Sequence, residues 1–207
     1  MALSSFKFYT DAGLTTTYSG LNQETFLSDF SDNPHNFVLY FGSASSSTRY
    51  LRTTTSPGTN QIVLTPTDIE QVWTAATSYS LGAIIEPTSS NGYVYICTTA
   101  GTSAASTQPT WPTSVNSTVA DGTGTLIWDC YAPKHPTTEI KLALAGGSTL
   151  TGATAGAALN LGTVIQSGSS NAVAVYFSLT NSVSQVNSNV GFPQLGININ
   201  AVTETSI

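Results

Sequence analysis

The stretch from Trp73 to Tyr131 differs in composition from the rest of the chain. It contains the runs WTAATSYSLG (73–82), NGYVYIC (91–97), TTAGTS (98–103), PTWPT (109–113) and DGTGTLIWDCY (121–131). All three tryptophans and both cysteines of the 207-residue protein lie within it. The sequence on either side is rich in Ser and Thr and poor in charge. This contrast predicts a small aromatic module inserted into a host domain of a different kind.

The flanking sequence has the alternation of apolar and polar residues that is typical of β-strands. Seven host strands are predicted, from segments 5–10, 37–41, 48–52, 61–65, 139–144, 172–179 and 195–201, and segment 162–166 is a possible eighth. Segment 37–41 is apolar on both sides, so we expect it to be central in its sheet. Segment 145–162 predicts either a short helical turn near 153–159 or a loop. The fold class is therefore all-β, an antiparallel β-sandwich (Ig-like or jelly-roll-like) with a small inserted β module.

The domain boundaries are predicted at two segments that contain proline. Residues 1–68 and 137–207 would form a discontinuous β-sandwich, and residues 69–136 the inserted aromatic-rich module. The joints are Thr65-Pro66-Thr67-Asp68 and Ala132-Pro133-Lys134-His135-Pro136. Proline stiffens a linker and interrupts a strand, so we expect strands to end at both joints. Insertions of this kind are tolerated at exposed loop tips, so the module is expected to project from one end of the host.

Composition excludes several classes of partner. Only 8% of residues are charged, but 40% are hydrophobic, so a folded chain is expected rather than a disordered one. The net charge is −6 with five scattered cations, which argues against binding nucleic acid. No apolar run approaches the length needed to span a membrane, and residues 1–7 lack the features of a secretion signal.

No catalytic motif is recognisable. The carboxylates are dispersed: Asp29 and Asp32 lie in a polar loop, and Asp121-Gly122 indicates a turn. Neither His35 nor His135 has the sequence context of a Ser–His or Cys–His catalytic pair, and there is no phosphate-binding loop. We therefore predict a protein that is not an enzyme and that has no cofactor and no metal site.

The aromatic residues and cysteines of the module are the remaining candidates. A small β module needs large side chains for its core, so most of its aromatics should be structural. One or two could instead face outward and stack on sugar rings. The candidate glycan-binding residues are Tyr93 and Tyr95, predicted to share one face of a strand, and Trp111, in a loop between prolines. Cys97 and Cys130 either form a disulfide or remain buried thiols.

The module resembles small chitin-binding-type carbohydrate-binding modules. These have a leading Trp, a Tyr-x-x-Gly, a strand ending Tyr-x-Cys, a Thr-Ser turn, prolines and a closing Leu-Trp. The matching residues are Trp73, Tyr79, Gly82, Tyr95, Cys97, Thr102, Ser103, Pro109 and Trp128. The sequence differs from that pattern at Ala83, Gly101 and Ile127. This resemblance implies a small β fold and, at the aromatic candidates, binding of glycans.

The module is also similar to a segment that recurs in structural proteins of tailed bacteriophages. The matching runs are 73–82, 91–93, 98–103, 109–113 and 121–123, as quoted above. In the flanking β-sandwich domain, residues Phe6 to Asp11 resemble phage head or tail accessory proteins. The resemblance implies a virion structural protein, exposed on a particle that is assembled in the host cytoplasm.

Capsid decoration follows as the first functional expectation. Its partners would be the major capsid protein and copies of the chain itself, with no nucleic acid and no membrane. The alternative is a glycan-binding adhesion module of a tail fibre or baseplate, whose partners would be host-surface or environmental glycans.

Overall fold

A computed structural model describes residues 5–19, 33–122, 124–144, 150, 152–182 and 195–206. Over these residues the chain forms β-strands and two short 3-10 helices, with no α-helix. The strand pairings whose register is defined in the described residues are antiparallel, except for one two-residue parallel pair. The predicted all-β class with antiparallel sheets is confirmed. Within the described ranges, no helix is both long enough and apolar enough to cross a membrane.

The strands are numbered in chain order. They are β1 Lys7–Tyr9, β2 His35–Gly42, β3 Arg49–Thr53, β4 Ile62–Asp68, β5 Gln71–Val72, β6 Ser78–Tyr79, β7 Ile84–Glu86, β8 Tyr93–Thr99, β9 Gly101–Thr102, β10 Thr118–Ala120, β11 Ile127–Pro133, β12 Ile140–Ala143, β13 Leu159–Gly162, β14 Val164–Gln166, β15 Val173–Leu179, β16 Leu195–Ile199 and β17 Val202–Ser206. The 3-10 helices are Thr137–Glu139 and Ser169–Asn171.

The chain divides into two compact units. Unit 1 comprises Met1–Thr67, Thr137–Asn181 and Gly196–Ile207, and unit 2 comprises Asp68–Pro136 with Ser182–Leu195. Three small sheets belong chiefly to unit 1, with strand orders β1-β2-β15-β12, β13-β4-β16 and β14-β3-β17. Unit 2 contains a five-stranded sheet of order β10-β11-β8-β7-β5 and the two-stranded pair β6-β9.

Unit 1 is built on the long pairing of β2 with β15. The register runs from His35 opposite Leu179 to Phe41 opposite Val173. Strand β2 lies between β1 and β15, as its two-sided apolar sequence predicts. Across the inner face, the rings of Phe37 and Phe177 stack with their centroids 4.9 Å apart. The apolar run of β2 and the alternating sequence of β15 therefore build the core of unit 1 through cross-strand contacts.

Two features of unit 1 differ from the sequence-based expectation, and a third decides between the helical turn and the loop that the sequence left open. Strand β4 continues through Pro66 to Asp68, although a strand end was predicted at this joint. Its pairing with β13 stops at Leu64, so the ladder to β13 does not require an N–H from the proline. Residues 152–158 form turns and loop rather than a helix, and β13 follows them directly. The last strand, β17, was not predicted, because its sequence Val-Thr-Glu-Thr-Ser has a single large apolar residue.

The start of β12 also departs from the alternation that its sequence predicts, with Ile140, Leu142 and Leu144 on one face and Glu139 and Lys141 on the other. Glu139 was expected on the exposed face but is buried, since it ends a 3-10 helix rather than beginning the strand. Leu144 was expected inside, yet 46% of it is exposed because the strand ends one residue earlier, at Ala143. Ile140 and Leu142 are buried as predicted.

The sheet of unit 2 is centred on β8 and β11. These strands pair antiparallel with Cys97 opposite Trp128 and Tyr95 opposite Cys130. Because alternate residues of a strand share a face, these four side chains form one continuous buried layer. The core packed around that layer consists of Trp73, Tyr79, Ile85, Tyr95, Cys97, Leu126, Trp128 and Cys130.

Candidate functional site

The centre of unit 2 is a buried carboxylate held between two tryptophans. Asp121 is 2% exposed. Its Oδ2 accepts a hydrogen bond from Trp73 Nε1 at 2.7 Å and another from Trp128 Nε1 at 3.1 Å. Its Oδ1 accepts from the backbone N–H of Ala104 at 3.0 Å. A buried charge is tolerated when donors satisfy it, and three donors do so here. Sequence alone indicated only a turn at this position.

Ser103 and Tyr79 fix the loop that follows Trp73. The Ser103 hydroxyl donates to the carbonyl oxygen of Thr74 at 2.7 Å and accepts from the backbone N–H of Thr77 at 3.0 Å. The Tyr79 hydroxyl accepts from the backbone N–H of Thr74 at 2.8 Å. The Tyr79 ring also meets the Trp128 ring edge-on, with centroids 4.9 Å apart. The Thr-Ser and Tyr-x-x-Gly parts of the sequence pattern therefore serve to hold this loop on the core.

Two glycines of the pattern are required by close packing. A Cβ on Gly101 would lie 2.8 Å from the backbone N of Leu126, closer than real Cβ contacts come. Gly122 has a φ of +72°, and a Cβ there would lie 2.6 Å from the carbonyl oxygen of Thr102. The Gly-Thr-Ser and Asp-Gly runs are thus pressed against each other, and only glycine fits at either contact.

The Pro-Thr-Trp-Pro loop closes the core from another side. Trp111 packs on Tyr95 with ring centroids 4.5 Å apart and on Trp128 at 6.1 Å. The Tyr95 hydroxyl donates to the carbonyl oxygen of Pro112 at 2.7 Å and accepts from Asn91 Nδ2 at 2.6 Å. Burial raises the pKa of Tyr95 to about 12.

The structure separates the three glycan-binding candidates. Tyr95 is completely buried, so its ring is not accessible to a sugar and its proposed role as a stacking platform is corrected. Tyr93 and Tyr95 do share a face of β8, but Tyr95 is covered by the ring of Trp111. Tyr93 and Trp111 are partly buried against the core and keep part of their surface exposed.

Cys97 and Cys130 are buried free thiols, so the disulfide alternative is not realised. In the register of β8 and β11 they lie on a diagonal, since Cys97 is opposite Trp128 and Cys130 opposite Tyr95. Diagonal neighbours have Cβ atoms roughly 7 Å apart, whereas a disulfide needs about 4 Å. Burial raises the pKa of both thiols, which makes them inert hydrophobic side chains.

A cluster of charged side chains lies where the segment 68–136 begins and ends. Lys134 Nζ donates to Asp68 Oδ2 at 3.0 Å and to Glu86 Oε2. Both carboxylate oxygens of nearby Glu70 are inaccessible to solvent and have no hydrogen-bond partner. Burial raises the pKa of Glu70 to about 7. We call Asp68, Glu70, Glu86 and Lys134 the Lys134 cluster. The only sequence signal for it was that Lys134 is the single cation of the module.

The described residues contain no arrangement suited to metal chemistry. Within the described ranges, no group of three or more His, Cys, Asp or Glu side chains could hold a metal ion. Asp29 and Asp32 lie outside the described residues. Asp121, the most buried carboxylate of the site, has both oxygens occupied by donors from the same unit. The tryptophans and cysteines concentrated in unit 2 therefore form its core or pack against it.

Comparison with protein-family models, with curated proteins and with solved structures gives no match to this chain.

Proposed function

We propose that the chain is a structural, non-enzymatic component of a phage virion. Its role would be that of a capsid decoration, or head accessory, protein that docks through the β-sandwich of unit 1 and presents unit 2 to solvent. One observation carries the proposal. The residues through which unit 2 resembles the segment recurrent in phage structural proteins are the residues that build its core.

That correspondence explains why each part of the pattern is needed. The leading Trp73 and the Asp121-Gly122 run meet through the Trp73–Asp121 hydrogen bond. Gly101 allows the close approach of Leu126, and Ser103 anchors the loop after Trp73. A pattern whose members hold one another in place specifies a scaffold. Spare reactive groups, which an enzyme would need, are not part of it.

Unit 1 supplies the kind of surface that an assembled lattice uses. Its three sheets have three or four strands each, so most of their strands lie at an edge. An edge strand presents backbone donors and acceptors that can pair with a strand of a neighbouring subunit. The expected partners are the major capsid protein and further copies of the chain, arranged by the symmetry of the particle.

The direct test is to localise the chain on particles of the phage that encodes it. Purified particles would be separated into filled heads and free tails and analysed by mass spectrometry, with cryo-electron microscopy of the heads. The proposal predicts the chain in the head fraction at a fixed ratio to the major capsid protein. Its absence from purified particles would overturn the proposal, and its presence only on tails would favour the adhesion alternative.

The adhesion alternative, a glycan-binding module of a tail fibre or baseplate, is supported by Tyr93 and Trp111. Each keeps part of an aromatic surface exposed on unit 2. A glycan array probed with the full chain tests it, alongside Tyr93→Ala and Trp111→Ala. Because Trp111 also packs on the core, each variant must first show an unchanged denaturation midpoint. Binding lost in a fully folded variant would establish adhesion, and no binding to any glycan would remove it.

A further inference from the structure

The Lys134 cluster ties together the two ends of the segment 68–136. Asp68 ends β4, and Lys134 follows β11 directly. The Lys134 side chain is 10% exposed, and it bridges Asp68, 39% exposed, and Glu86, 11% exposed. An ammonium group so enclosed holds its partners more firmly than an exposed ion pair does. The two ends of this segment are therefore joined by an ion pair whose ammonium group is largely buried.

Glu70 is the carboxyl group of this cluster to which Lys134 does not donate a hydrogen bond. The charged groups that act on its carboxyl are Lys134, Asp68 from β4 and Glu86 from β7. Lys134 already donates to Asp68 and Glu86, and both Glu70 oxygens are shielded from solvent and accept no hydrogen bond from another residue. A neutral carboxyl group can occupy such a place at modest cost, whereas an ionised one cannot.

The strand next to Glu70 is weakly held. Strand β5 is only Gln71 and Val72, both exposed, and it lies at the edge of the five-stranded sheet. It pairs in parallel with β7, and the next residue, Trp73, donates its backbone N–H to the carbonyl oxygen of Glu86 at 2.8 Å. Few contacts therefore oppose a local movement of residues 69–72.

We propose that the Lys134 cluster is a proton-controlled latch, which holds β5 on β7 while the Glu70 carboxyl is protonated and releases β5 when that carboxyl is ionised. Ionisation places a third negative charge beside Asp68 and Glu86, with one ammonium group to balance all three. The side chain gains hydration only by moving out to water. Because its oxygens are inaccessible in the closed arrangement, that movement displaces the backbone of β5.

The direction of the pH effect follows from the raised pKa. Glu70 binds its proton more tightly in the closed latch than in an open one, so closure is favoured at low pH and weakened as pH rises from about 4.5 towards about 7. Glu70 as a whole is only partly buried, so solvent screening reduces the effect. We expect the opening of β5 to increase about ten-fold between pH 5 and pH 8.

Hydrogen exchange measured by NMR on the full chain tests the latch. The backbone amide of Trp73 reports on β5. The backbone amide of Lys134 donates to the carbonyl oxygen of Gly92 and reports on the chain just after β11. After correction for the intrinsic effect of pH on exchange, Trp73 should lose protection between pH 5 and pH 8. A carbon-13 titration of the Glu70 carboxyl in the same sample should give a midpoint near 7. A Glu70 midpoint near 4.5, or constant protection of Trp73, would overturn the proposal.

Three variants separate the latch from general stability. Glu70→Gln keeps a neutral side chain at every pH and should abolish the pH dependence while leaving Trp73 protected at pH 8. Asp68→Asn removes one partner of Lys134 and one negative charge beside Glu70, so it should lower protection at every pH and reduce the pH dependence without abolishing it. His135→Asn controls for the histidine beside Lys134 and should change neither result. A pH dependence that survives in Glu70→Gln, or disappears in His135→Asn, would contradict the assignment to Glu70.

Discussion

Asp121 and Trp73 are joined by a buried hydrogen bond of 2.7 Å between positions 48 residues apart in the chain. The same carboxylate oxygen also accepts from Trp128. This one side chain therefore links the loop that opens the aromatic stretch to the strand that closes it. The tryptophans concentrated in this stretch owe their positions to that link, and the description of unit 2 as a scaffold depends on it.

Replacing Asp121 should destabilise unit 2 more than any other carboxylate change. Asp121→Ala leaves the indole N–H groups of Trp73 and Trp128 and the Ala104 N–H without an acceptor, and we expect a loss of about 3 kcal/mol. Asp121→Asn keeps one acceptor oxygen for these three N–H donors, and we expect it to lower the free energy of unfolding by about 2 kcal/mol. Urea denaturation followed by tryptophan fluorescence measures both. A loss below about 0.5 kcal/mol for either variant would place it among ordinary surface changes and contradict the role of Asp121.

The close contact at Gly101 gives a matched pair of substitutions. Gly101→Ala forces a Cβ against Leu126, and we expect it to cost about 2–3 kcal/mol through overpacking. Gly124→Ala adds the same methyl group where nothing lies within 4 Å, so it should change stability by less than about 0.5 kcal/mol. The two denaturation midpoints are compared directly. Equal midpoints would show that Gly101 is not packed as described.

The two cysteines should behave as buried reduced thiols. Raised pKa values and burial keep the reactive thiolate scarce, so neither should react with a thiol reagent in the native protein. Both should react at once in denaturant without prior reduction. Reaction in denaturant only after a reducing agent is added would reveal a disulfide instead.

Tyr95 should ionise well above the ordinary pKa of a tyrosine. Its pKa of about 12 lies above the ordinary value of 10, so the folded state holds this proton more tightly than the unfolded chain does. Stability is therefore retained below pH 10 and lost as pH rises from about 10 towards about 12. A carbon-13 titration of labelled tyrosines should show this step in the parent protein and not in Tyr95→Phe.

At neutral pH, Tyr95→Phe should cost about 1–2 kcal/mol, because Asn91 and the carbonyl oxygen of Pro112 lose their partner. Thermal unfolding of the variant and the parent measures it. A variant as stable as the parent would show that these two hydrogen bonds do not hold the Pro-Thr-Trp-Pro loop.

The sequence predicts the parts of the fold in which local pattern and packing agree. Strand β2 contains a continuous apolar run and β15 alternates strongly, and both lie close to their predicted bounds. Strands β5, β6 and β9 have two residues each, too few for any periodicity to show. Pairing partners distant in sequence hold them in place instead, which a single sequence does not reveal.

In the candidate functional site, too, the sequence predicts the features set by local pattern and not those set by residues distant in the chain. The predicted turn at Asp121-Gly122 is present, with Gly122 at positive φ. The burial of Asp121 depends on donors from Trp73, Ala104 and Trp128, which only the folded chain brings together. Likewise Tyr95 was placed on the correct strand, but which face of that strand is covered depends on the loop bearing Trp111.

The most direct test of the central claim, that the aromatic residues of unit 2 form a core organised by Asp121, is the exchange of the indole protons. The three tryptophans give three indole N–H signals in a nitrogen-15 NMR spectrum. We predict that the signals of Trp73 and Trp128 exchange far more slowly than that of Trp111, whose donor meets the side chain of partly buried Gln108. Both slow signals should lose protection together in Asp121→Asn. Rapid exchange of Trp73 and Trp128 in the parent protein would contradict the account.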